Sequence, residues 1–125
     1  MTIDGRISDY NRNASATKTT PIIVLGTCTD GNSGSIRIDI PATFGETKVT
    51  DNFNSLRFTL FGIDNTNYYA GDGGISGGVI GSGKINILEL SNDYVKGTFD
   101  FITGPDAITR VKKAVTNGEF YFKRE

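Results

Sequence analysis

Side chains that alternate between apolar and polar along short runs are the feature that most constrains this chain. In Ser35–Ile40, isoleucine occupies every even position, and Arg37 and Asp39 stand between the isoleucines. In a β-strand, successive side chains point to opposite faces. The run is therefore predicted to be a strand that buries its isoleucines and keeps Arg37 and Asp39 in water.

Similar runs recur along the chain and are separated by glycine, asparagine and aspartate, which favour turns. Composition agrees, because 14 isoleucines and 8 phenylalanines stand against only 6 alanines and 5 leucines, the best helix formers. We predict one all-β domain over residues 1–125, an antiparallel β-sandwich or barrel-like fold of about eight to ten strands. The other predicted strands are Thr2–Ser8, Ala14–Thr19, Ile22–Leu25, Leu56–Phe61, Lys84–Leu90 and Tyr94–Ile102.

Spacing predicts two hairpins. The strands of the first are joined by the turn-rich stretch 30–34, and those of the second by Ser91–Asp93. Pro41 ends the strand before it, and a loop is expected to follow through Gly45. The stretch Gly71–Gly83 holds seven glycines. We interpret it as a mobile loop or a strand edge, because glycine loses the most conformational freedom on ordering.

The segment after Thr103 supports two interpretations. Pro105 can stand at the first position of a helix, and apolar residues recur from Ile108 at helical spacing. Alternatively, Arg110–Thr116 pairs with Glu119–Lys123 across a tight Asn-Gly turn. The pattern alone does not choose between helix and strand over residues 105–115.

Several functional classes are disfavoured by composition. With no histidine and a single cysteine, Cys28, the chain offers no histidine triad, histidine metal site or cysteine cluster. Its net charge of −1 argues against a nucleic-acid partner. The short basic cluster of Arg110, Lys112 and Lys113 is predicted to be a solvated edge.

Oxygen-bearing side chains are the candidates for binding a metal ion. Asp30, Asn32, Ser33 and Asp39 could ligate Ca²⁺, but they lack the spaced acids and bidentate glutamate of a calcium loop. Asparagine and aspartate in such turns usually bond their own backbone, and the same holds for Asp64. We therefore predict no metal and no cofactor.

Paired carboxylates are the remaining route to catalysis. Asp93 with Asp100, or Asp4 with Asp9, could serve glycoside hydrolysis if each pair shared a cleft. Nothing in the spacing brings either pair together, so we predict that the protein is not an enzyme.

The candidate binding residues are Tyr68, Tyr69 and Asp72. Two adjacent tyrosines on a strand point to opposite faces, so at least one is expected at the surface beside the glycine-rich stretch. Exposed aromatic rings stack on sugars or grip protein surfaces at low entropic cost. The alternative is that one of these tyrosines packs in the core with its hydroxyl reaching water.

Two segments near the end of the chain, Val95–Phe101 (VKGTFDF) and Val115–Phe120 (VTNGEF), are similar to a known pattern. They resemble the "IxGTFxF … ITNGxF" ending of an uncharacterised (domain-of-unknown-function) family of small secreted lipoproteins of Bacteroidota. Other segments that resemble this family are Thr2–Gly5, Gly26–Pro41 and Gly81–Ile87.

The resemblance implies strands on both sides of Asn117–Gly118, and therefore favours the hairpin. It also implies a place in the cell envelope (periplasm or outer-membrane surface) or outside the cell, with a lipid anchor as the contact with a membrane. The anchoring cysteine is absent, since Cys28 lies within a strand region. Catalytic residues are not implied.

The sequence thus predicts a non-enzymatic envelope or secreted β module that binds a glycan or a cell-surface protein. One alternative is a structural, self-assembling protein such as a phage or surface component. Another is a small carboxylate-based hydrolase.

Overall fold

The computed structural model describes residues 2–3, 6–7, 12–27, 34–49, 56–63, 66–72 and 78–125. These residues form twelve β-strands and no helix, which confirms the predicted all-β class. Nine of the strands have four residues or more, and three have two residues each. They make two antiparallel sheets that pack face to face. Of the two predicted architectures, sandwich and barrel, the structure is therefore the sandwich.

Sheet I contains both the predicted hairpin around residues 30–34 and the two adjacent tyrosines. Its spatial order is β3-β4-β5-β7-β8-β9, and every neighbouring pair is antiparallel. Its strands are β3 (Arg12–Ala16), β4 (Ile22–Thr27), β5 (Ser35–Ile40), β7 (Arg57–Ile63), β8 (Thr66–Asp72) and β9 (Val79–Ile80).

Sheet II has the order β2-β1-β12-β11-β10-β6 and contains the predicted β10–β11 hairpin. Its strands are β1 (Thr2–Ile3), β2 (Arg6–Ile7), β6 (Gly45–Lys48), β10 (Ser82–Leu90), β11 (Tyr94–Ile102) and β12 (Ala114–Lys123). One prediction fails here, because the single strand expected over Thr2–Ser8 is two short strands that pair with each other. Residues 41–44 lie outside the strands, in line with the loop expected after Pro41, whereas β6 is a strand that the sequence pattern does not predict.

The core is the layer of apolar side chains between the two sheets. Phe58 of β7 stacks on Phe101 of β11, with ring centroids 4.4 Å apart and planes 17° from parallel. Phe99 and Phe120 extend this aromatic cluster along sheet II. The isoleucines of β5 are buried in the same layer, as their alternation predicts: Ile36, Ile38 and Ile40.

The polar face of β5 differs from the prediction. Asp39 was expected in water but is only 8% exposed. Its carboxylate accepts a 2.6 Å hydrogen bond from Nε of Arg37, two positions away on the same face. A carboxylate partly removed from water needs such a partner, and alternation alone cannot show that one covers it.

Both interpretations of the C-terminal segment are wrong. Asn117 and Gly118 lie inside β12, which pairs with β11 on either side of them, so they form no hairpin turn. The register with β11 shifts between Phe99 and Phe101, so that Thr116 and Asn117 together face Asp100. This is a β-bulge, and Asn117 adopts a left-handed φ of 53° in it.

The helix fails for a different reason. A single helical turn does form after Pro105, with the Arg110 N–H donating to the carbonyl of Asp106. Arg110 then adopts a φ of 64°, which a right-handed helix cannot continue. Residues 103–113 are therefore a loop between β11 and β12, here called the apical loop.

Two glycines explain why the GTF and NGEF segments stand opposite each other. In the β11–β12 pairing, Gly97 faces Phe120 and Phe99 faces Gly118. A Cβ atom on Gly118 would overlap the ring of Phe99, and one on Gly97 would press on the ring of Phe120. Each phenylalanine thus lies over the glycine of the neighbouring strand, and the segment pair has a packing role.

At the opposite end of the sandwich from the apical loop, Arg124 links the sheets. It is 8% exposed, and its Nε donates to the carbonyl of Thr17 at 3.1 Å. One terminal nitrogen donates to the carbonyl of Ser91 at 2.6 Å, in the β10–β11 turn. The guanidinium thereby joins the chain after β3 of sheet I to sheet II.

Replacing Gly118 with Ala is expected to destabilise the fold by about 1–3 kcal/mol, because the new methyl group overpacks against the Phe99 ring. Urea denaturation measures the change. Adding Phe99→Leu to Gly118→Ala should recover part of the loss by removing the ring that clashes. A Gly118→Ala variant as stable as the parent protein would contradict the paired packing.

Arg124→Met is expected to cost about 1.5–3 kcal/mol, because it leaves the part-buried carbonyl oxygens of Thr17 and Ser91 without a charged donor. The matched control is Lys123→Met on the exposed face next to it, which should change the unfolding free energy by less than about 0.5 kcal/mol. Equal effects of the two substitutions would show that Arg124 does not link the sheets.

Candidate functional site

The two adjacent tyrosines lie on opposite faces of β8, as predicted, and do not share a surface. Tyr68 is 5% exposed in the core, and Nζ of Lys113 lies 5.6 Å from its ring centroid. Its ring is therefore not available to stack on a ligand. Tyr69 is half-buried on the outer face of sheet I, opposite Thr59.

The third predicted residue, Asp72, ends β8 and pairs through its backbone with Val79. The strand-edge interpretation of the glycine-rich stretch is thus confirmed where β9 pairs with Gly71 and Asp72. Residues 73–77 and the side chain of Asp72 lie outside the described part.

The carboxylate pair whose two members can both be located, Asp93 and Asp100, is not brought together, as the sequence spacing predicts. Asp93 precedes β11 and Asp100 lies near its other end, separated by about 23 Å of extended strand. The remaining candidate residues of the sequence analysis lie outside the described residues: Asp4, Asp9, Cys28, Asp30, Asn32, Ser33 and Asp64.

Two other tyrosines form an exposed pair on the outer face of sheet II. Tyr94 is 42% exposed and Tyr121 is 53% exposed. Their ring centroids lie 5.7 Å apart with planes at 73°, an edge-to-face arrangement. The alternating pattern of β11 indicates that Tyr94 is exposed, because it lies on the strand face opposite the buried Val95 and Phe99.

Charged side chains flank this tyrosine pair. Lys96 pairs with Tyr121 across β11 and β12, and its Nζ lies 5.6 Å from the centre of the Tyr121 ring. Glu89 of β10 pairs with Lys96 of β11. Its negative charge raises the pKa of the Tyr121 hydroxyl, and desolvation and the neighbouring Tyr94 raise that pKa further. One ring face of Tyr121 is therefore near a cation, and its hydroxyl is held neutral.

Beside the tyrosine pair, the same sheet face is hollowed by two adjoining depressions of about 480 and 510 Å³. Both are lined by Lys84, Asp100 and Asn117, and together they are called the trough. Its other polar lining residues are Glu46, Lys48, Ser82, Asn86, Thr98, Thr116 and Glu119, and its apolar lining residues are Phe99, Phe101, Ile102, Ala114 and Val115.

Strand register explains how the trough is built. One cross-strand row runs from Lys48 through Lys84 to Asp100. The next row runs from Glu46 through Asn86, Thr98 and Glu119. Glu119 precedes Tyr121 by two positions on the same face, so the trough leads to the tyrosine pair over about 7 Å.

Sequence reasoning missed this surface because its residues come from four separated strands. Individually, the lysines, glutamates and asparagines look like ordinary solvated positions of each strand. Only the pairing of β6, β10, β11 and β12 brings them into one trough.

Comparison of the chain with protein-family models, with curated proteins and with solved structures gives no match. In the part of the chain that the structure describes, no helix has the length and apolar character needed to cross a membrane.

The tyrosine pair makes a spectroscopic prediction. Since Glu89 opposes ionisation of Tyr121, absorbance titration should show one tyrosine ionising above the ordinary value of 10.0. Glu89→Gln should lower that pKa, and Tyr121→Phe should remove the high-pH step. A titration unchanged by Glu89→Gln would mean that the two side chains do not interact in solution.

Proposed function

We propose that the protein is a non-enzymatic binding module of the cell envelope or of a secreted protein, and that it binds a glycan on the outer face of sheet II. The observation that carries the proposal is the exposed Tyr94–Tyr121 pair at the end of the trough. Sugars present apolar C–H faces and hydroxyl edges, and this surface offers a partner for each.

The aromatic part of the surface supplies apolar contact. Both tyrosines are held by strand backbone and by each other, so little side-chain freedom remains to be lost on binding. Their hydroxyl groups can in addition exchange hydrogen bonds with a sugar.

The polar part of the surface favours a neutral or zwitterionic glycan. Lys48 and Lys84 are balanced by Glu46, Asp100 and Glu119, so neither sign of charge dominates. Asn86 and Thr98 between them donate and accept hydrogen bonds without charge. A trough of this composition suits hydroxyl groups better than a strongly acidic or basic polymer.

The proposed location in the cell envelope or outside the cell is supported by the sequence and not by the site. The resemblance to secreted lipoproteins of Bacteroidota supports a place at the periplasm, the outer-membrane surface or outside the cell. Glycans and surface proteins are abundant partners there, which agrees with a binding role.

One observation favours a second candidate, a carboxylate-based hydrolase. Glu46, Asp100 and Glu119 line the same depression. A general acid in glycoside hydrolysis, however, needs a carboxyl group withdrawn from water so that it stays protonated. Glu46 and Glu119 are exposed, and Glu46 faces Nζ of Lys48 at 3.8 Å, so binding is the better-supported function.

A glycan array followed by calorimetric titration of the strongest hit tests the proposal. Tyr121→Ala and Tyr94→Ala should each weaken binding by about tenfold or more, as expected when an anchoring aromatic ring is removed. Leu25→Ala, at an exposed position on sheet I, is the matched control and should leave the affinity unchanged.

Two other outcomes decide between the candidates. If Tyr69→Ala weakens binding and Tyr121→Ala does not, the site lies on sheet I and the proposal is wrong. If mass spectrometry finds the bound glycan cleaved, and Asp100→Asn or Glu119→Gln stops the cleavage, the protein is the hydrolase.

A further inference from the structure

We propose that the apical loop is a docking element for an anionic lipid surface, with Ile108 as its apolar tip. This inference does not depend on the glycan proposal and concerns another part of the molecule. It rests on exposure, charge and the hydrogen bonding of the loop.

Ile108 is 91% exposed, the largest exposure among the large apolar side chains of the described residues. Val111 in the same loop and Ile102 at the end of β11 are also exposed. Single exposed apolar residues are common, but here two belong to one loop, and the third, Ile102, lies at the base of that loop, where it also lines one of the two depressions. The loop thus presents an apolar apex.

The charged side chains of the loop are positive on balance. Arg110, Lys112 and Lys113 face only one acidic residue of the loop, Asp106, although the whole chain carries a net charge of −1. Arg110 and Lys112 are exposed, and Lys113 is half-buried beside Tyr68. Cations beside an apolar tip match a bilayer interface, where anionic headgroups surround acyl chains.

Four backbone N–H groups of the apex are paired inside the loop, those of Asp106, Ile108, Thr109 and Arg110. The carboxylate of Asp106 accepts hydrogen bonds from the N–H groups of Ile108 and Thr109 at 3.1 and 2.7 Å. The N–H of Arg110 donates to the Asp106 carbonyl, and the N–H of Asp106 donates to that of Val111. Unpaired backbone groups are what prevent most loops from entering lipid, and these donors are paired.

The base of the loop is fixed as well. The N–H of Thr103 donates to the carbonyl of Lys113, and the Thr103 hydroxyl accepts from the N–H of Lys113, both at 2.9 Å. Gly104 donates to the carbonyl of Tyr69 in sheet I. The apex is therefore presented in one conformation, and docking orders little that was free.

The test uses the absence of tryptophan from this chain. Ile108→Trp places a single fluorophore at the apex, and Phe44→Trp places the matched control at an exposed site before β6. Adding vesicles of phosphatidylcholine and phosphatidylglycerol should shift the emission of Trp at position 108 to the blue and leave position 44 unchanged. Phosphatidylcholine vesicles should give a much smaller shift.

Cosedimentation of the tryptophan-free protein with the same mixed vesicles gives an independent readout. Ile108→Ser should abolish the binding, and Lys112→Ser should weaken it about fivefold. Lys18→Ser, at the other end of the sandwich, should have no effect, and high salt should weaken binding. Circular dichroism checks that each variant is folded.

The proposal is overturned if position 108 shows no blue shift, or if position 44 shifts equally, since that would be general adsorption. It is also overturned if a soluble polyanion or an acidic protein shifts the emission and mixed vesicles do not. Tyr121→Ala should leave vesicle binding intact, which separates this result from that of the glycan proposal.

Discussion

The stacking of Phe58 on Phe101 is the contact on which the rest of the sandwich depends. It joins the centre of sheet I to the centre of sheet II, and Phe99 and Phe120 continue the aromatic layer on one side. Three of these phenylalanines face a glycine in the neighbouring strand: Phe99 faces Gly118, Phe120 faces Gly97 and Phe101 faces Gly83. A Cβ atom on any of these glycines would crowd the phenylalanine opposite. Burial of the aromatic rings supplies hydrophobic stabilisation, and the glycines leave the space that the phenylalanines occupy.

This division of the strands between two faces also creates the candidate binding surface. The alternate positions of β11 that face inward are Val95, Gly97, Phe99 and Phe101, so the positions between them must face solvent. Those positions carry Tyr94, Lys96, Thr98 and Asp100, which form half of the tyrosine pair and one wall of the trough. The core and the candidate site therefore both depend on the same alternation of inward and outward side chains, and a change of register would disrupt both.

Much of the fold could be predicted because alternation is a local property. The isoleucines of β5 and both main hairpins follow directly from it. The edge strand β6 could not, since its four residues lack an apolar pattern and pair only with β10. Asn117–Gly118 is a turn signal by composition, but pairing along the whole of β12 overrides it. The tyrosine pair of sheet II could not be predicted either, because Tyr94 and Tyr121 lie far apart in sequence and meet only through strand pairing.

The bulge in β12 has a consequence for how this strand can vary. Val115 and Gly118 both face the core although three positions separate them, and regular alternation would put them on opposite faces. Deleting Asn117 would leave one residue fewer between them, which restores the regular spacing of side chains on one face. The extra residue therefore changes the solvent face rather than the core: it places a second side chain, next to Thr116, opposite Asp100, where Asn117 also lines both depressions.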